Sequence, residues 1–318
     1  MSATQVAKVK TGSEGKTADK VFKGIAYACG MLILVVLAAI LVFLFIQALP
    51  VFTGDQANVS QKVSDYSNGT TKNFWVLVGI LVFGTVLVSI LALLLAIFVS
   101  IGIALFISHY APKKLSTALS YVVDLLAAIP SVIYGLWGGL VLIPSIQPVW
   151  NWFAKYLGWT YIFQGPAVQP SKTVATVAVV LAVMICPIIT SVSRDIFKQT
   201  PRLQQEAALA LGATKWEMIK LAVLPFGKSG VISAAMLGLG RALGETMAIL
   251  MILSPGYLFS VFLLKGSQNM TIAANIALKY MEADDMGVSV LIGTGLVLFI
   301  VTFIVNFVAR KITDKAVK

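Results

Sequence analysis

The chain has 318 residues, of which 58% are hydrophobic and only 12% charged, and its mean hydropathy of +0.92 excludes a soluble globular domain. A formal net charge of +11 would suit a nucleic-acid binder, but the basic residues fall between long apolar runs and form no continuous basic face, so no nucleic-acid partner is expected. One histidine, His109, and two distant cysteines, Cys29 and Cys186, leave almost no material for a histidine metal cluster, a His-dependent triad or a redox pair.

Residues 1–22, rich in Lys, Thr, Ser and Gly, predict a disordered cytoplasmic tail ahead of a transmembrane domain over 23–318. They do not resemble a cleaved signal, because the apolar run that follows spans a bilayer in full and no A-x-A-like site comes after it. Gly15, Lys16 and Thr17 imitate the end of a Walker A loop. That loop needs a glycine five residues before Gly15, where this chain has Lys10, so no nucleotide-binding loop is expected here.

Uncharged runs at 25–46, 74–107, 173–192 and 287–309 each reach the ~20 residues that cross a ~30 Å hydrocarbon core. Two further predicted spans carry charge: 118–143 holds Asp124 near one end, and 230–253 holds Arg241 and Glu245. The expected fold is therefore all-α, a polytopic membrane protein with six transmembrane helices in a lipid bilayer. The run 74–107 has 34 residues, roughly 51 Å at ~1.5 Å per residue, which predicts one helix that tilts or protrudes. Placing the N-terminus in the cytoplasm puts seventeen basic residues inside and six outside, with Arg241 in the membrane; both termini are then cytoplasmic. Trp75, Trp150, Trp152 and Trp159 fall at or beyond the outer ends of spans, as an interfacial belt requires.

In the third span, Ala127-Ala-Ile-Pro-Ser-Val-Ile-Tyr-Gly135 places Pro130 inside a helix, which frees a carbonyl and predicts a kink. Ser131 and Tyr134 supply hydroxyls there, and a packing kink and a substrate contact both remain open. The outer loops 50–73, 145–171 and 255–286 are expected to form a docking face, the middle one bounded or stiffened by Pro144, Pro148, Pro166 and Pro170, with a short helix at 271–281.

Residues 194–228 form a charged segment between apolar runs, and its local signals predict two short helices. Thr200 is placed to cap a helix starting at Pro201, Gly212 to close it with a left-handed residue, and Thr214 with Glu217 to open a second through a capping box; Pro225 is expected to end that one. In the fifth span, Gly238-Leu-Gly-Arg-Ala-Leu-Gly-Glu-Thr-Met-Ala-Ile249 sets Arg241 near mid-membrane, where a charge costs ~2.5–3.5 kcal/mol on insertion scales. Glu245 follows at i+4, on the same helix face, and is expected to neutralise it; Gly240 and Gly244 form a GxxxG pattern that predicts close helix packing. A guanidinium offers a fork of donors to a tetrahedral oxyanion, so an anion site and a structural ion pair are the two readings of this motif.

Glu206, Ala207, Ala208, Gly212, Ile219, Leu224 and Pro225 stand at the spacing of the EAA loop and resemble the segment by which permeases of ATP-binding-cassette importers grip their ATPase. Gly-Arg-Ala-Leu-Gly-Glu-Thr-Met-Ala, together with Ala-Ile-Pro-Ser-Val-Ile-Tyr-Gly, is similar to the phosphate permeases of the Pst system, and the Glu-Thr-Met ending to their PstC type. The resemblance runs from the first span to the last. It implies an ABC type I importer permease fold in the bacterial plasma (inner) membrane, with a PstA-like second permease, two copies of a cytoplasmic ATPase and an extracytoplasmic phosphate-binding protein. This chain then binds no cofactor, the partner ATPase using ATP and Mg, and carries no catalytic or metal site. Arg241, Glu245, Thr246, Ser131 and Tyr134 become pathway residues, and Glu206 to Pro225 the ATPase contact. A permease for sulfate or molybdate is the nearest alternative; a secondary carrier or non-transporting scaffold has no reason to keep the EAA spacing.

Overall fold

The structure is a computed structural model that describes the backbone of residues 13–317 and the side chains of residues 19–311. The described residues are helical throughout, apart from loops and one isolated antiparallel bridge between Thr173 and Gly266. Among them, six helical runs are long and apolar enough to cross a membrane: Asp19–Thr53, Phe74–Tyr110, Ser131–Tyr156, Val174–Lys198, Lys215–Leu243 and Asp285–Lys311.

Helix α1 (Ser13–Thr53) begins inside the segment expected to be a disordered tail, so residues 13–22 extend the first span; residues 1–12 lie outside the described residues. The short α2 (Gln56–Tyr66) precedes α3 (Phe74–Leu105), whose first turn is capped by the Asn73 side chain accepting from the Trp75 N–H. A π turn at Phe106–Tyr110 carries α3 on without a break, giving the single long helix that the length of its apolar run predicts.

The third span departs from expectation. Helix α4 (Lys113–Ala127) stops before Pro130, and a second run begins beyond it: α5 (Ser131–Trp137), a π turn at Gly138–Leu142, then α6 (Ile143–Tyr156). Pro130 makes a full break instead of a kink, because its ring pushes Ile129 out of the helical region and it has no N–H to continue the ladder. Asp124 thus belongs to α4, whose register leaves it exposed.

Helix α7 (Val174–Lys198) is the central span and packs against α3 and α4. Its buried Val177, Leu181, Ile185 and Ile189 recur every four residues and meet Leu77, Leu81 and Val88 of α3 in one continuous core. After α7 come α8 (Arg202–Ala210) and α9 (Lys215–Met218), a π turn at Ile219–Val223, α10 (Leu224–Leu243) and α11 (Met247–Ile252). Pro225 does not end the second short helix. It lies in the first turn of α10, where a missing N–H is tolerated, and the π turn before it keeps Lys215 to Leu243 in one run. That run ends at Gly244, about nine residues short of the predicted end of the fifth span.

At the other end of the bundle, α12 (Ile272–Lys279) and a 3₁₀ turn at Tyr280–Glu282 form the short helix expected at 271–281. Helix α13 (Asp285–Val317) closes the fold against α1 and α10. Lys62 of α2 and Asp284, just before α13, are paired at 2.9 Å.

Candidate functional site

Two regions carry the expected functional residues. In the first, α8 ends in a Schellman motif: Gly212 has φ +85, its N–H donates to the Leu209 carbonyl (3.0 Å), and the Ala213 N–H reaches back to Ala208 (3.2 Å). Only glycine adopts that backbone cheaply. The capping box at α9 is complete, with the Glu217 carboxylate accepting from the Thr214 N–H (2.8 Å) and hydroxyl (2.7 Å), and the Thr214 hydroxyl accepting from the Glu217 N–H (3.3 Å). The cap at α8 is a correction. Pro201 itself is the N-cap and Arg202 the first helical residue, while the buried Thr200 hydroxyl has no hydrogen-bond partner among the described residues.

Met218, Ile219 and Val223 fix this segment to Ala104 and Leu105 of α3 and Phe197 of α7 in a small core of its own, with Ala208 and Leu224 packed on it. The opposite side is bare: Glu206 and Ala207 are exposed, Leu203 and Leu211 are 80% and 90% exposed, and Leu221 is exposed beside them. A groove of about 500 Å³ runs between the two short helices, lined by Ala208, Leu211, Gly212, Glu217 and Leu221. Exposed leucines around a groove on an otherwise charged segment mark a surface for a partner.

In the second region two helix breaks meet. The last carbonyls of α4 need donors, and each finds one. Leu125 and Leu126 accept from the N–H groups of Ala128 (3.1 Å) and Ile129 (3.3 Å), and Leu126 also from the Tyr134 hydroxyl (2.8 Å). Ala127 and Ile129 accept from Arg241, whose Nη1 and Nη2 donate at 3.4 Å each. A cation at a helix C-terminus is favoured by the helix dipole, so the guanidinium sits where α4 presents its negative end.

Arg241 and Glu245 do not pair, contrary to the expectation from their spacing. The two residues are not on one helix, because α10 ends at Leu243 and residues Gly244 to Thr246 lie outside any helix before α11 begins. Glu245 is 7% exposed and its Oε1 accepts the Ala248 N–H at 3.1 Å, capping α11. Each charge is thus compensated by a helix end: the cation by terminal carbonyls, the anion by an amide. Two of the five guanidinium N–H donors are used, and the other three have no partner among the described residues.

Tyr134 is buried and Ser131 and Thr246 half-buried at the same two breaks; the Thr246 hydroxyl donates to the Gly244 carbonyl at 3.3 Å. Gly240 and Gly244 are a second correction. A Cβ at Gly240 would meet nothing within 4 Å, and one at Gly244 only its own helix, so they pack no neighbouring span in this chain. The close approach is made by Gly135 and Gly138 on the α5 run, where a Cβ would lie 2.9 Å from the Ala248 Cα and 2.6 Å from Ile252, and by Gly238 against Ile189. The sequence reading also missed Arg194. The residue is 5% exposed, and its guanidinium reaches α4 through Asp124 and the Ser120 carbonyl, a contact spanning some seventy residues that no local spacing reveals.

Residues 96–316 match the family described as binding-protein-dependent transport system inner membrane component. The chain is 43% identical over 302 residues to the phosphate transport system permease protein PstC 2 of Mycobacterium tuberculosis, covering 92% of this chain and 91% of that one. It is 45% identical over 276 residues to the PstC permease of Mycobacterium leprae (86% of each chain), and 36% over 301 residues to that of Mesorhizobium japonicum (92% and 89%). Among solved structures, an inward-facing MetNI methionine ABC transporter superposes with a TM-score of 0.54 at 17% identity, covering 76% of this chain and 96% of that one, which shows a shared fold. With the family matching most of its length and the permeases aligned across nearly all of it, the chain belongs to the inner membrane components of binding-protein-dependent transport systems, among the PstC phosphate permeases.

Proposed function

We propose that this chain is the permease subunit of an ATP-driven importer of inorganic phosphate, providing half of the translocation pathway. The observation that carries the reading is Arg241, held where two helix breaks at the ends of spans meet, with three donors unused. An arriving phosphate oxyanion takes those donors in charge-assisted bonds while the two carbonyls keep the guanidinium in place. The site must bind weakly, since a tight one would not release.

Glu245 adds a filter. One of its oxygens is committed to the Ala248 N–H, and Oε2 is left to accept a hydrogen bond from a protonated phosphate. Sulfate at neutral pH has no such proton and meets repulsion instead. Ser131, Tyr134 and Thr246 line the same breaks; Ser131 offers its hydroxyl to the passing anion, while Tyr134 and Thr246, whose protons go to the Leu126 and Gly244 carbonyls, offer oxygens that accept from a protonated phosphate.

The segment 194–228 is the coupling element, in the cytoplasm with both termini. Glu206, Ala207 and Ala208 enter a groove of a separate ATPase, the exposed leucines supply the apolar contact, and the turn at Gly212 sets the angle between the helices. Ile219 and Leu224 anchor the segment to α3 and α7, and the π turn before Pro225 is where it pivots. The ATPase, in two copies, binds ATP and Mg; a PstA-like permease completes the pathway; and the outer loops dock a phosphate-binding protein. Alternating access then follows from ATP-driven motion of this loop.

Reconstitution with those partners in liposomes, followed by phosphate and sulfate uptake with and without ATP, tests the reading. ATP-dependent phosphate uptake with little sulfate uptake is the expected result. Equal uptake of the two removes the Glu245 filter, and sulfate uptake alone replaces the substrate.

A further inference from the structure

Two arginines of different spans, Arg194 and Arg241, grip the same short stretch of chain. Arg194 of α7 donates through Nη1 to the Ser120 carbonyl (3.3 Å) and to Asp124 (3.4 Å). Arg241 of α10 donates to the carbonyls of Ala127 and Ile129. Asp124 and Ala127 are one helical turn apart, so the C-terminal end of α4 is clamped from two sides. The two helices that hold it are the ones that lead into and out of the 194–228 segment. Arg194 lies four residues before the end of α7, and Arg241 lies seventeen residues into α10, about 26 Å along it.

A basic residue near a span end usually needs only water and one carboxylate, and Arg194 already has Asp195 at 2.8 Å on its own helix. Its remaining donors could face solvent. They are turned inward instead, with the residue 5% exposed, Nη2 on the Ser191 hydroxyl (3.4 Å) and Nη1 on α4. Ser191 in turn donates to Asp124 at 2.6 Å, so three side chains of α7 and α4 close one network. Burial of a cation is costly unless every donor is used, which makes the arrangement sensitive to any change in the α4–α7 spacing.

We propose that Arg194 is a positioning residue: through Asp124 and Ser120 it fixes the last turn of α4, and with it the two carbonyls that hold the Arg241 guanidinium, so that movement of the 194–228 segment reaches the anion site through α4. The inference rests on the proposed function for what Arg241 meets, but the mechanical link is independent of the substrate. A shift of the end of α7 relative to α10 must either carry α4 along or break one of the two grips. The Ala128–Pro130 break uncouples the end of α4 from the α5 backbone ladder, leaving the Tyr134–Leu126 hydrogen bond as a side-chain tie between them.

Asp124→Asn isolates the link, since it keeps the shape of the side chain and leaves Asp195 to neutralise Arg194; Asp195→Asn is the control on α7 alone. Ala128→Cys, exposed in the break, is introduced after replacing Cys29 and Cys186, and its rate of thiol labelling in the assembled complex is followed with and without a non-hydrolysable ATP analogue. The parent is expected to show a nucleotide-dependent rate, Asp195→Asn to keep it, and Asp124→Asn to lose it. Phosphate moved per ATP hydrolysed should fall roughly ten-fold with Asp124→Asn, as for loss of one charge-assisted hydrogen bond, with the ATPase still bound. A rate that ignores nucleotide in the parent, or that responds equally in Asp124→Asn, overturns the link. If the parent moves no phosphate while the labelling pattern holds, the substrate reading falls and the link stands.

Discussion

The segment 194–228 and the pair of breaks at 127–131 and 243–247 are built on opposite principles. Nearly every bond that shapes the segment is local: Gly212 to Leu209, Ala213 to Ala208, Thr214 to Glu217. At the breaks, local bonds such as Tyr134 to Leu126 and Ala248 to Glu245 are completed by bonds between residues more than a hundred positions apart, Arg241 to Ala127 and Ile129. A surface for docking can be shaped by its own turns. An intramembrane charge cannot be, because without water it must find its acceptors wherever the bundle supplies them.

The largest expected effect tests the second half of that contrast. Arg241→Ala should lower phosphate uptake by at least ~10²-fold, the size seen when a positioned donor to a charged centre is removed, while the ATPase still co-purifies. Arg241→Lys should also be impaired, because an ammonium lacks the planar fork that spans two carbonyls. Arg241→Ala/Glu245→Ala should remain inactive, since each charge is held by a different helix end. Recovery of uptake in the double variant would make the two residues a pair after all and end the comparison.

The same contrast explains what could be read in the sequence. The number of spans, the capping box and the left-handed turn were legible because they rest on composition, periodicity and residues within five positions of each other, although the third and fifth spans lie at 131–156 and 215–243 and not at 118–143 and 230–253. The break at Pro130 was half legible: proline marked the place, but whether a helix bends or stops depends on whether donors exist for its freed carbonyls, and these come from Tyr134 and Arg241. The i,i+4 spacing of Arg241 and Glu245 misled because it presumes an unbroken helix. Gly244, Glu245 and Thr246 are themselves stop and start signals for helices, a residue with poor helical propensity followed by two that can cap. Pro225 misled in the opposite direction, as a π turn absorbed it. The role of Arg194 was out of reach, its partners being on α4.

A smaller effect is expected from Gly135→Val. The new Cβ would lie 2.9 Å from the Ala248 Cα, so α5 and α11 must separate, at a cost of about 1–3 kcal/mol for overpacking. Thermal unfolding in detergent should shift downward, and uptake should fall with it because Glu245 and Tyr134 ride on those helices. An unchanged melting temperature would mean that the breaks are looser than their contacts indicate. Gly212→Val offers the local counterpart. Its Cβ meets nothing within 4 Å, so the cost is only that of a left-handed β-branched residue, about 1–2 kcal/mol, confined to the α8–α9 turn. Bundle stability should be preserved while ATPase association weakens, and Gly212→Asn should retain most of it. Loss of bundle stability instead would show that the segment is not the self-contained unit its hydrogen bonds describe.

The smallest effect sharpens the comparison by separating distance from burial. Lys62 and Asp284 are joined across the sequence, like Arg241 and Ala127, but in the open. Asp284 is held below the usual carboxylate value first by the Lys62 ammonium and then by the Gly287 N–H, and Lys62 is raised above its usual value by Asp284. A depressed acid contributes above its unfolded pKa of 3.8 and loses that contribution as pH falls through the lower folded value; a raised base contributes below 10.5 and loses it as pH rises through the higher one. The pair should therefore hold α2 near the start of α13 across pH 5–9, let go in acid, and weaken as salt screens it. Cross-linking between cysteines placed on α2 and before α13, followed against pH and salt, measures this, and Lys62→Ala, which removes one partner, should leave the cross-link without its acid and salt dependence. The Arg241 contact, also distant in sequence but enclosed by helix ends, should be indifferent to salt over the same range. A salt-sensitive Arg241 contact would mean that sequence distance alone, and not burial, separates the two regions.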